Sequence, residues 1–109
     1  MTHTQNDAYN RAIEILQQLI RIRTPQPSGD EGDAVLFISS LFSDDRVKKE
    51  IISHGNNRAS LVVVIPGVDR NRGVAIVGHL DTIPVGNVRD WTHSPFGAAI
   101  VNGCVYGRG

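Results

Sequence analysis

The sequence is poor in several features that would decide its class at once. It has a single cysteine, Cys104, in 109 residues, so no intrachain disulfide can form, which suits a reducing compartment. Neither charge is in excess: 11 Lys and Arg stand against 11 Asp and Glu, which leaves no basic face for nucleic acid or an anionic membrane. Apolar runs such as residues 61–65 are far too short to span a bilayer, and the polar opening MTHTQNDAYN lacks the basic-then-apolar order of a signal peptide. These absences describe a soluble, cytoplasmic chain. There is also no G-x-S-x-G elbow, no phosphate-binding G-x-x-x-x-G-K-[ST] loop, no C-x-x-C pair and no H-E-x-x-H helix.

What is present is the composition of a folded protein. With 40% hydrophobic and 20% charged residues the chain resembles neither a disordered tail nor a fibrous repeat, and its length allows one unit, residues 1–109. Tyr9, Ile13, Leu16 and Ile20 recur at helical spacing beside Ile15, Leu19 and Ile22, predicting a first helix that Asp7 can cap and that Thr24-Pro25 and Pro27 end. Ser28 and Glu31 form an S-x-x-E capping box ahead of Ala34, Val35, Ile38, Leu41 and Phe42, a second amphipathic helix. Residues 61–65 and 74–77 are continuous apolar, β-branched runs of the kind buried on both faces of a sheet, with a weaker strand over 47–53 before them and a short one at 104–106. The order α, α, β, β, β predicts an α/β layered domain.

Chemistry concentrates at Gly78-His79-Leu80-Asp81-Thr82, where the strand-like run ends. Side chains two apart on a strand share a face, so His79 and Asp81 lie together with Cα atoms roughly 6.6 Å apart. If the strand bends, the carboxylate can accept the second imidazole N–H, the pairing that fixes the tautomer of a metal-binding histidine. An H-x-D pair is common by chance, although Gly78 and Pro84 permit a close approach and a stiff turn beside this one. His3, in a frayed terminus, His54, before the Gly55-Asn56-Asn57 turn, and His93, in a loop, read as solvated polar groups. Trp91, Phe96 and Tyr106 read as structural anchors.

Residues 74–109, VAIVGHLDTIPVGNVRDWTHSPFGAAIVNGCVYGRG, resemble a signature of the dinuclear-zinc metallopeptidases and amidohydrolases, among them aminoacylase, acetylornithine deacetylase, succinyl-diaminopimelate desuccinylase and the glutamate carboxypeptidases. The shared pattern is an apolar strand, G-H-x-D-T-V-P, a spacer, W, P-F and Y-G-R-G. Gly78, His79, Asp81, Thr82, Pro84, Gly86, Trp91, Pro95, Phe96, Tyr106, Gly107, Arg108 and Gly109 match it. Ile83 replaces the commoner Val, Ser94 stands where many members have Asp, and Cys104 falls at a variable position. The upstream helices and the strand and turn at 61–67 are similar to the family's N-terminal region.

The resemblance implies a partial three-layer αβα catalytic domain with a mixed sheet, truncated before the rest of the metal site and before the dimerisation domain. It implies that His79 is a ligand of one of two zinc ions, and that Asp81 is the catalytic-site carboxylate that holds and polarises it. In the family a bridging Asp follows Y-G-R-G, then come a Glu-Glu pair, a further acidic ligand and a C-terminal His. None of these is in this sequence. The expected parent is a zinc-dependent hydrolase acting on the amide bond of a small peptide or N-acyl amino acid, with the 109 residues alone inactive. The competing expectation is a stand-alone, non-catalytic interaction module that self-associates through an exposed sheet surface, or a functionless remnant.

Overall fold

Local sequence signals place most of the elements seen in a computed structural model, which describes residues 3–109. Helix α1 (His3–Arg21) and helix α2 (Glu31–Ser40) are followed by strands β1 (Lys48–Gly55) and β2 (Arg58–Val64). A short 3-10 turn (Val88–Asp90) precedes strands β3 (Ala99–Val101) and β4 (Cys104–Tyr106). Helix α1 stops ahead of Thr24-Pro25, as the prolines require. It begins at His3, so Asp7 lies inside the helix rather than at its cap. Met1 and Thr2 lie outside the described residues.

The capping box also fails. Asp30, in the left-handed region at φ 52°, takes the N-cap position of α2 without a side-chain cap. Ser28 Oγ instead donates to the Pro25 carbonyl, and Glu31 accepts two bonds from Arg58 at 3.1 and 2.8 Å. A bidentate charge-assisted pair outweighs a local capping bond, so Glu31 is drawn across to the strand that packs on its helix.

Strands β1 and β2 form an antiparallel hairpin, with Lys48 opposite Val64 and Ser53 opposite Ala59. Asn56 and Asn57, at φ 50° and 57°, make its reversal, the paired positive φ values that match strand twist. Alternate residues of β2 are half-buried because one face lies on α2. The turn also grips the helix start, since Gly32 N–H donates to Asn57 O at 2.8 Å. Strands β3 and β4 form a second antiparallel hairpin, reversed at Asn102 and Gly103.

Two expectations are corrected here. Residues 74–77 belong to no strand, and Val74, Ile76 and Val77 are 93%, 97% and 90% exposed. A β-branched run becomes a strand only when a neighbour completes its ladder of N–H and C=O bonds, and among the described residues none lies beside it. For the same reason the strands do not join into one mixed sheet that helices could sandwich. Among the described residues there are two separate two-stranded antiparallel sheets, and the parallel pairing is an isolated bridge between Pro25 and Thr82. The architecture is α and β, without the three-layer arrangement.

The shape follows from these missing pairings. The chain is a slab of 51 × 43 × 21 Å with a radius of gyration of 16.4 Å, against about 13 Å for a folded chain of this length. Its accessible surface is 8432 Å², where about 5,900 Å² is usual at this mass. The core is correspondingly small: Ile20, Ala34, Val35 and Ala98, with Pro95 fully buried. No helix is long and apolar enough to cross a membrane among the described residues.

Candidate functional site

The segment at 79–83 is held where the run before it is not, because a partner approaches from the end of α1. Thr82 N–H donates to Thr24 O, and Gln26 N–H donates to Thr82 O, both at 2.9 Å. Thr24 Oγ1 donates to Leu80 O at 2.7 Å, and Thr24 is 3% exposed. From the other side Ile83 N–H reaches Gly109 O at 3.4 Å.

Gly109 is anchored in turn by its neighbours. Arg108 N–H donates to Pro95 O at 2.9 Å, and the Arg108 guanidinium donates to Ile22 O just past α1. Phe96 lies between the guanidinium groups of Arg23 and Arg108, 4.3 and 5.1 Å from its ring centre. Gly107 lies so close to Ile20 that a Cβ there would stand 2.5 Å from Ile20 Cγ2. The Y-G-R-G segment thus pins the end of α1, and through it the segment that carries His79 and Asp81. Burial lowers the Arg108 pKa, and its Nε is buried without a hydrogen-bond partner.

The two predicted site residues are brought together. His79 Nδ1 lies 2.7 Å from the Asp81 backbone carbonyl and 3.0 Å from Asp81 Oδ1. Both partners only accept, so Nδ1 carries the proton and, in the neutral ring, Nε2 keeps its lone pair. The imidazole is 81% exposed and the Asp81 side chain 37% exposed, so that lone pair faces open space. The Asp81 carbonyl and then its carboxylate raise the His79 pKa by stabilising the imidazolium. Asp81 is held below the usual carboxylate range, first by Gln26, whose Nε2 donates to Oδ2 at 2.9 Å, and then by His79.

A second charged pair flanks this one. The buried Glu31 carboxylate is held low chiefly by Arg58, whose own pKa is raised by the pairing, and both groups feel the charge of Asp81. Neither Gln26 nor this ion pair was found by reading the sequence. Gln26 lies 55 residues from Asp81, and only its place between two prolines marked it.

His54 and His93 have partners of their own apart from this site. His54 Nε2 pairs with Ser60 Oγ at 2.9 Å, and the His93 ring packs on Tyr106 with centres 4.3 Å apart. His3 opens α1. Trp91 anchors its loop by donating from Nε1 to Val85 O at 2.8 Å, and Cys104 is an exposed free thiol.

A zinc ion takes about four donors, or about three beside a water. Among the described residues no three His, Cys, Asp or Glu side chains gather around a common point. His79 offers one nitrogen with its orienting carboxylate, and that set does not fit a metal by itself.

Comparison with known proteins extends the resemblance of residues 74–109 along most of the chain. Succinyl-diaminopimelate desuccinylase 2 of Ruegeria sp. (strain TM1040) is 38% identical over 98 residues, covering 89% of this chain and 24% of that protein. Succinyl-diaminopimelate desuccinylase 1 of the same organism is 33% identical over 81% of the chain and 23% of its own length. The succinyl-diaminopimelate desuccinylase of Wolbachia pipientis wMel is 31% identical over 89% of the chain and 23% of its own length. No family model matches. Over most of its residues the chain is similar to succinyl-diaminopimelate desuccinylases, and it spans about a quarter of the length of the curated relatives it matches.

Proposed function

We propose that this chain carries one ligand arm of a zinc-dependent amide hydrolase of the desuccinylase type, with N-succinyl-diaminopimelate as the substrate class that its relatives' names suggest. His79 supplies the metal-binding nitrogen and Asp81 fixes its tautomer. The observation that carries this reading is the direction of the His79–Asp81 bonds: they commit Nδ1 to the backbone carbonyl and the carboxylate of Asp81 and leave Nε2 unprotonated in the neutral ring. On this reading the chain by itself is inactive, because one histidine and its carboxylate leave a two-metal site incomplete. Purified chain with added zinc is expected to give no hydrolysis of N-succinyl-diaminopimelate, and real turnover would overturn the incompleteness. Zinc titration followed by nitrogen NMR is expected to move His79 Nε2 weakly and ahead of every other histidine. An unmoved His79 would remove it from the ligand set.

The second reading is an interaction module. Its support is the exposed apolar strip of Val74, Ile76 and Val77. Sedimentation should show concentration-dependent association, and a clean monomer at high concentration counts against it.

A further inference from the structure

The geometry points to Gln26 as a positioning residue that sets the plane of the Asp81 carboxylate and, through it, reinforces the Nδ1–H tautomer of His79 that the Asp81 backbone carbonyl also favours. This rests on the reading above, in which Asp81 orients His79. A carboxylate turns easily about its last torsion, so one hydrogen bond does not fix which oxygen faces which neighbour. Asp81 has one donor on each oxygen: His79 Nδ1 at 3.0 Å on Oδ1 and Gln26 Nε2 at 2.9 Å on Oδ2. Two bonds to opposite oxygens define the plane.

Gln26 is itself well held. Its N–H is bonded to Thr82 O, its neighbour Pro25 forms the parallel bridge to Thr82, and Pro25 and Pro27 restrict the backbone on both sides. The side chain therefore starts from a stiff point one residue across from the group it holds. The carboxamide donates to Asp81 without cancelling its negative charge, whereas a Lys or Arg in its place would neutralise it. A neutral donor thus orients Asp81 and leaves it able to polarise His79.

The test is the His79 tautomer, read from its two ring nitrogen shifts in the labelled chain at alkaline pH, where the ring is neutral. The Nδ1–H form should dominate in the native chain. Gln26→Met keeps size and loses the donor, and should lower the ratio of Nδ1–H to Nε2–H forms roughly threefold. Gln26→Glu places a second carboxylate against Asp81 and should lower it further. In both variants an unchanged Thr82 amide signal reports that the backbone pairing persists, so a shifted ratio then comes from the lost donor. An unchanged ratio in both overturns the role of Gln26. Asp81→Ala separates the two ideas. If it shifts the ratio while neither Gln26 variant does, only the positioning role falls; if it leaves the ratio alone, the orienting role of Asp81 falls and the inference with it.

Discussion

Residues 74–78 and 79–83 are consecutive, yet the first are exposed and outside any strand while the second are bonded on two sides. The apolar run is the more strand-like by composition, but the H-x-D-T segment is the one with neighbours: Thr24 to Gln26 on one side and Gly109 on the other. Strand propensity expresses how well a side chain suits a pleated, half-buried surface, and it acts only where such a surface exists. Residues 61–65 make the same point from the opposite direction. Residues 61–64 pair in β2 because the turn at Asn56 and Asn57 delivers β1 within a few residues, so the partner is encoded next door.

The contrast can be broken most sharply at glycines. Gly107→Ala drives a methyl into Ile20 in the bonded region and should cost about 1–3 kcal/mol in urea unfolding. Gly78→Ala meets nothing within 4 Å and should stay within about 0.5 kcal/mol. Equal costs at the two sites would erase the distinction.

A smaller loss is expected at Arg58→Met, because it strands the Glu31 carboxylate, whose side chain is 8% exposed. The 42% exposure of Arg58 keeps the loss below that of a fully buried pair. Glu31→Gln or Asp81→Asn should flatten the acid limb. Both carboxyls lie below their ordinary values of 4.5 and 3.8 in the fold, so their contribution is present above those values and is lost as pH falls through the lowered ones. His79 has the opposite sign: its contribution is present below 6.5 and is lost as pH rises through the raised value. Asp81→Asn should therefore flatten stability against pH at both ends, measured by denaturant midpoints across the range. The smallest change in stability, within about 0.5 kcal/mol, is expected for Ile76→Lys, which should nonetheless weaken any self-association seen in sedimentation.

Much of the fold was legible because it is local. The period of Ile13, Leu16 and Ile20 and the prolines after Thr24 define α1, and the period of Ala34, Val35 and Ile38 defines α2. The Gly-Asn-Asn turn marks the first hairpin. The His79–Asp81 pairing was legible for the same reason, since two residues on one face need only a bend to meet. The capping role of Ser28 and Glu31 was misread because Arg58, 27 residues on, competes for the same carboxylate.

By itself the sequence determined the helices, the turn before β2, the H-x-D pair and the resemblance to the dinuclear-zinc hydrolases, all carried by short-range spacing and fixed offsets. Tertiary structure alone decided that Gln26 holds Asp81, that Arg108 pins the end of α1, and that residues 74–77 stay unpaired. Each of these depends on which distant segment supplies a hydrogen-bond partner, and a backbone or carboxylate group is ordered only when that partner arrives.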